Sequence, residues 1–195
     1  MLKCTKLLMT TEQLYRELDY VNHSKEKRKR YATLVINNPK LLPQVIDIVF
    51  KINDKRSCRA AWLLEFVARE NLDAILPYLD KITKQMPTVY LDPAVRPIAK
   101  ICEYLIKAYY HKDQNHTKEY LKTIHKERII ELSFDYMITE QKVAVKAYSM
   151  HTLYLLGREH DWIHPELAMI LERDFNLGSA AFKARARHLL KKLKK

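Results

Sequence analysis

Apolar residues recur at spacings of three and four along almost the whole chain, and polar or turn-forming residues separate the resulting segments. A clear example is residues 41–52, where Leu42, Val45, Ile46 and Val49 follow this spacing. Residues spaced in this way form one face of an α-helix. We find no segment in which apolar and polar residues alternate as they do in a half-buried strand. The pattern therefore predicts an all-α protein.

Start and stop signals divide this pattern into about ten or eleven helices with short connections. Thr10 and Gln13 form a capping-box sequence, and Ser24 is placed to cap the next helix. Pro97 lies too deep for a first-turn proline, which predicts a late start or a bend in its helix. The predicted helices cover approximately residues 11–22, 24–37, 41–52, 55–69, 72–85, 92–110, 117–124, 129–137, 139–156, 165–175 and 179–193.

Four of the predicted helices share a sequence feature in which a small or apolar residue precedes a cation. Successive cations are 37, 50 and 39 residues apart, which is in the period range of stacked helix-pair repeats. One extra short helix near residues 117–124 explains the longest spacing. An acidic residue stands shortly before each of the first three cations. The four features are Cys58-Arg59 after Asp54, Val95-Arg96 after Asp92, Val145-Lys146 after Glu140, and Ala184-Arg185.

Through these residues the chain resembles HEAT and armadillo repeat proteins. The resemblance covers most of the chain and implies one helical-repeat domain over residues 1–195. The implied fold is a right-handed α-solenoid of about five antiparallel helix pairs. In such repeats a turn acid and a cation early in the second helix link successive repeats like the rungs of a ladder. The resemblance therefore implies a structural role for Asp54, Arg59, Asp92, Arg96, Glu140, Lys146 and Arg185.

The net charge of +12 is concentrated in two segments. Residues 25–30 carry +4 and residues 179–195 carry +7, which leaves a net charge of +1 for the rest of the chain. Such segments attract acidic protein surfaces or the nucleic-acid backbone, although charged segments are also common on solvated surfaces. The predicted contacts to an acidic partner are Lys25, Lys27, Arg28, Lys29, Arg30, Lys183, Arg187, Lys191, Lys192, Lys194 and Lys195.

The composition argues against several kinds of site. Phosphate-binding loops need two or three glycines close together, but Gly157 and Gly178 are isolated and each follows an apolar segment, where a left-handed helix cap would use it. The three cysteines are far apart, which argues against a disulfide framework or a zinc knuckle. His160 and His164 fall in a connection, so we predict no metal site. No cofactor is implied.

The sequence also predicts the localisation of the protein. We find no signal-peptide pattern and no apolar run of the roughly 20 residues that a membrane span needs. We therefore expect a cytoplasmic protein that does not bind membranes.

Two tryptophans beside carboxylates make an enzyme the alternative. One family of alkylpurine DNA glycosylases is built from HEAT-like repeats, with a basic concave face and aromatic residues beside a catalytic carboxylate. Trp62 with Glu65, and Trp162 with Asp161, resemble that arrangement. The apolar run around Trp62 and the nearly neutral middle of the chain favour a non-catalytic binding or scaffold module instead. A regulatory subunit that depends on a partner chain for its stability is a third alternative.

Overall fold

The computed structural model describes residues 9–22 and 24–193, and all regular structure in these ranges is helical, which confirms the all-α prediction. The described α-helices are α1 (Thr11–Glu17), α2 (Lys25–Asn37), α3 (Leu42–Val49), α4 (Arg56–Glu70), α5 (Leu79–Gln85), α6 (Asp92–Tyr109), α7 (His116–Tyr120), α8 (Thr123–Ile138), α9 (Val143–Leu156), α10 (Ile163–Phe175) and α11 (Ala180–Leu193). Short 3-10 helices cover Leu18–Tyr20, Pro39–Leu41, Leu72–Tyr78 and Met86–Thr88.

Local sequence sets the starts of the first two helices as predicted. The Thr10 N–H donates to Gln13 Oε1 at 2.8 Å, and the Gln13 N–H donates to Thr10 Oγ1 at 3.2 Å. This reciprocal capping box satisfies two backbone donors at the start of α1. Ser24 Oγ accepts from the Lys27 N–H at 3.4 Å and caps α2.

Pro77 divides a segment that the apolar pattern predicts as one helix over residues 72–85. The structure instead has the 3-10 helix Leu72–Tyr78 followed by α5. Proline has no N–H for a helical hydrogen bond, and its ring clashes with the preceding turn. Regular α-helix therefore begins only after Pro77.

The two glycines do not serve as left-handed caps, so that prediction was wrong. No described glycine has a positive φ, and Gly157 has a φ of −62°. A glycine is required at position 157 for steric reasons instead, because a Cβ there would lie 2.0 Å from the His164 ring. The His164 ring is fixed by stacking on Tyr154, with ring centroids 5.6 Å apart. Gly157 therefore permits the close approach of the first turn of α10 to α9.

Five helices form a row in which each contacts the next. The order is α2, α4, α6, α9 and α11, and α3 packs on α4, α8 on α9, and α10 on α9 and α11. We call these five helices the helix row. Ile98, Ile101 and Leu105 of α6 are buried at its centre, where α6 contacts both α4 and α9.

Neighbouring helices of the row run in the same direction around α6. Trp62 contacts Pro93 and Glu65 contacts Arg96, so residue numbers rise together along α4 and α6. The contacts of Lys100 with Tyr148 and of Glu103 with His151 show the same for α6 and α9. Residues at matching positions along these helices therefore face one another.

Candidate binding surface

Charged and aromatic side chains from all five row helices line one surface, which we call the row surface. Residues three and four apart share a helix face, which aligns the contributions of each helix. The row surface has eight Lys and Arg residues and three Glu residues. It comprises Lys25, Arg28 and Lys29 of α2; Trp62, Glu65, Phe66, Arg69 and Glu70 of α4; Arg96, Lys100, Glu103 and Tyr104 of α6; Tyr148 and His151 of α9; and Arg185, His188 and Lys192 of α11.

Glu65 is a buried carboxylate at the α4–α6 contact of this surface. Its side chain is 8% exposed, and Arg96 donates to Glu65 Oε2 at 2.8 Å. Burial raises the pKa of Glu65, although Arg96, Arg28, Lys100 and Arg69 all act to lower it. Cations from three helices thus surround one carboxylate.

Trp62 joins the same region through a hydrogen bond that depends on a proline. Its Nε1–H donates to the Pro93 carbonyl at 2.7 Å. Pro97, four residues later, has no N–H to donate to that carbonyl, so the indole replaces the missing donor. Of the two outcomes predicted at Pro97, the late start was wrong, because α6 begins at Asp92, and the bend stays a prediction. The Arg28 guanidinium lies 4.5 Å from the Trp62 ring centroid, which adds a cation–π contact.

Glu103 is a second buried carboxylate, held between α6 and α9. Lys100 Nζ donates to Oε2 at 2.5 Å, and His151 Nδ1 lies 2.8 Å from Oε1. Burial opposes ionisation of Glu103, but the hydrogen bonds and charges of His151 and Lys100 outweigh it and lower the pKa to about 2. Lys100 Nζ also lies 4.9 and 4.2 Å from the ring centroids of Tyr104 and Tyr148. Glu103 is therefore ionised at neutral pH, with one oxygen bonded to Lys100 of α6 and the other to His151 of α9.

A cleft of about 620 Å³ opens at the α11 end of the row surface. Three side chains of α11 line it at helical spacing, namely Arg185, His188 and Lys192, while Glu103 and His151 line it from α6 and α9. Its remaining lining residues are Ala147, Ala181, Ala184 and Leu189. The cleft therefore combines basic groups with apolar surface.

The basic segment of α2 divides between two sides of its helix. Arg28 is buried against α4. Lys25 and Lys29 are four residues apart and therefore lie on the same side of α2. Lys29 acts on Glu70 of α4 electrostatically. Lys27 and Arg30 are exposed on the other side of α2. Three of the five predicted cations therefore belong to the row surface.

The basic segment of α11 also divides. Lys192 lines the cleft, with Nζ 5.5 Å from the Tyr154 ring centroid. The Arg187 guanidinium lies 5.7 Å from the Phe175 ring centroid of α10 instead. Lys183 is half-buried and Lys191 is exposed. The predicted contacts Lys194 and Lys195 lie outside the described residues.

The first proposed rung separates into two sets of contacts. Asp54 accepts hydrogen bonds from the Tyr15 hydroxyl and from the Arg56 N–H. Arg59 donates to Asp19 Oδ1 at 2.7 Å and also bonds a backbone carbonyl of the Leu18–Tyr20 helix. Arg59 therefore bonds an earlier element rather than Asp54.

Three of the other five ladder residues also have partners outside their own turns. Asp92 Oδ2 lies 3.5 Å from Lys142 Nζ, and Arg96 bonds Glu65 as described above. Lys146 Nζ donates to a carbonyl at the end of α8 at 2.9 Å. Glu140 is exposed, and Arg185 lines the cleft.

The residues of the glycosylase alternative lie in two places. Trp62 and Glu65 share the row surface, whereas Trp162 stacks on Phe134 of α8 with ring centroids 5.4 Å apart and stays 53% exposed. Asp161 is exposed in the connection before α10. The second tryptophan and its carboxylate therefore have surroundings different from those of the first pair.

Sequence reasoning missed several members of this surface. Lys100 and Glu103 follow Arg96 at helical spacing, which is a visible signal that they share a face. Nothing local indicates that His151 meets Glu103, because 48 positions separate them in the chain.

Within the described part of the chain, no group of three or more His, Cys, Asp or Glu residues is arranged to hold a metal ion. The expectation that His164 falls in a connection was wrong, because it lies in the first turn of α10, where its Nε2 is 2.9 Å from the Tyr154 carbonyl. Across residues 9–22 and 24–193, none of the helices has both the length and the apolar character that a membrane span requires.

Comparison with protein-family models, curated proteins and solved structures finds no match for this chain. Any proposal about function therefore rests on the geometry of the row surface.

Proposed function

We propose that the chain is a non-catalytic helical-repeat module whose row surface binds an acidic macromolecule, protein or nucleic acid. The observation that carries this proposal is the excess of cations on one surface, with eight Lys and Arg residues against three Glu residues. Phosphate or carboxylate groups of a partner would neutralise that excess. Flat aromatic rings between the cations add surface on which a partner can pack.

We further propose that the helix row is the inner layer of a right-handed α-solenoid of the HEAT or armadillo kind. The order of contacts along the row supports this, because each row helix contacts the next. The parallel direction of α4, α6 and α9 also supports it. Stacked repeats present an elongated surface, so a linear acidic partner would contact several helices at once.

The two sides of α2 provide a matched test. Substituting Lys25→Ala and Lys29→Ala removes two cations from the row surface, while Lys27→Ala and Arg30→Ala remove two from the other side of the same helix. Fluorescence anisotropy at low salt measures binding of labelled duplex DNA, single-stranded RNA and polyglutamate. We expect the row-side variant to bind its partner about tenfold more weakly. For a nucleic acid, the slope of log affinity against log salt concentration should fall by the equivalent of roughly two phosphate contacts.

The control variant should bind within about twofold of the unmodified chain, because its net charge is the same as that of the row-side variant but the row surface is intact. Equal weakening of both variants would mean that general charge attraction, not the row surface, governs binding. Absence of binding to all three probes at low salt would contradict the proposed function.

One observation favours the glycosylase alternative as a second candidate. Glu65 combines burial, a raised pKa and a neighbouring tryptophan on a cationic surface, as a catalytic carboxylate acting on DNA would require. Release of alkylated bases from duplex DNA tests this candidate directly. Base release that Glu65→Gln abolishes while duplex binding persists would favour the enzyme, whereas no release by the unmodified chain would exclude it.

A further inference from the structure

The cleft at the α11 end contains cations without an acidic partner among residues 9–22 and 24–193. Within the described part of the chain, Arg185 and His188 have no hydrogen-bond or ion-pair partner. Lys192 has a cation–π contact with Tyr154 and no ion pair with any described residue. Arg185 and Lys192 therefore leave two permanent positive charges facing the same cavity.

The carboxylate in the cleft does not compete for these cations. Glu103 is the acidic residue of the cleft lining, and its two oxygens are bonded to Lys100 and His151. Because Lys100 balances the charge of Glu103, the net charge at the cleft stays positive. An anion entering the cleft would meet cations on α11 without having to displace an existing ion pair.

We propose that this cleft binds the phosphate monoester group of a small molecule of about nucleotide size. Arg185 matches two phosphate oxygens with its planar fork, and Lys192 supplies a point charge to a third. His188, between them on the same helix face, adds a ring nitrogen, and His151 faces them from α9.

The dimensions and walls of the cleft agree with this ligand class. Its volume of about 620 Å³ is within the range of small-molecule sites, roughly 300–1,000 Å³. Ala147, Ala184 and Leu189 provide apolar wall for the uncharged part of the ligand. The site lies at one end of the row surface, and it does not depend on the acidic-macromolecule proposal.

Calorimetric titration with adenosine monophosphate, adenosine and inorganic phosphate tests the proposal and separates the two sources of phosphate. We expect the monophosphate to bind, inorganic phosphate to bind more weakly, and adenosine not to bind, because the cations recognise the charged group. Proton resonances of His151 and His188 should shift with both phosphate compounds. Binding of adenosine as strong as that of the monophosphate would overturn the proposal, as would no binding of either phosphate compound.

A second helix-matched pair of variants locates the site. Arg185→Gln with Lys192→Gln removes both cleft cations, and we expect about tenfold or greater weakening of monophosphate binding. Arg187→Gln with Lys191→Gln makes the same charge change away from the cleft and should leave binding within about twofold. Equal losses in the two variants would show that the phosphate binds elsewhere, and circular dichroism verifies that both variants fold.

Discussion

Replacement of Leu64 by alanine is expected to lower the free energy of unfolding by about 3–4 kcal/mol. Leu64 lies in α4, its side chain is 0% exposed, and α4 contacts α2, α3 and α6. The substitution removes buried carbon atoms and leaves a cavity that the surrounding helices fill only in part, so both lost transfer energy and lost contacts contribute. Denaturant unfolding followed by circular dichroism measures the change.

Leu177→Ala is the control, because it is the same chemical change at a side chain that is 91% exposed. We expect it to change stability by no more than about 0.5 kcal/mol. A Leu64→Ala effect below about 1 kcal/mol, or an equal effect at both positions, would mean that the packing between α4 and its neighbours is not what stabilises the helix row.

The helices could be predicted because the information that specifies them is local. The capping box of Thr10 and Gln13 lies within four consecutive residues, and each apolar stripe lies within one helix. The main local error came from Pro77, where the apolar spacing continues through a residue that cannot donate a helical hydrogen bond. The spacing of apolar residues indicates which helix face is apolar, but it does not indicate which backbone N–H groups can donate helical hydrogen bonds.

The row surface could not be predicted because charge along the sequence differs from charge in space. The middle of the chain carries a net charge near zero, yet Arg96 and Lys100 lie on one surface. Their balancing acids include Glu65, which is 31 positions away from Arg96 in the chain and contacts it only through the packing of α4 on α6. A count over a segment averages over all helix faces, so it conceals a surface built from one face of each helix.

The Trp62 hydrogen bond shows a similar limit. Pro97 reveals from sequence alone that the Pro93 carbonyl lacks its helical donor. Which group replaces that donor depends on the neighbouring helix, and the structure places the Trp62 indole there. The unsatisfied acceptor was thus visible in the sequence, but its partner was not.

Glu103→Gln is expected to lower the free energy of unfolding by about 3 kcal/mol at neutral pH. The folded protein holds the pKa of Glu103 at about 2, against an ordinary value of 4.5. Each unit of that difference is worth about 1.4 kcal/mol of stability while the group is ionised. Glutamine keeps a similar shape and one hydrogen-bond acceptor, but it lacks the charge that Lys100 faces. Denaturant unfolding of both proteins between pH 3 and pH 8 measures the difference.

The sign of the pH dependence follows from the lowered pKa of Glu103. Its stabilising contribution is fully present above pH 4.5 and is lost as the pH falls toward 2. The gap in free energy of unfolding between the unmodified protein and Glu103→Gln should therefore close on acidification. Glu131→Gln, on an exposed part of α8, is the control and should show a gap near zero throughout. A gap that stayed constant down to pH 3 would mean that shape alone fixes this contact. A gap that closes means that the ionised carboxylate holds Lys100 and His151 in place beside the cleft, because protonation removes the charge and leaves the side chain itself.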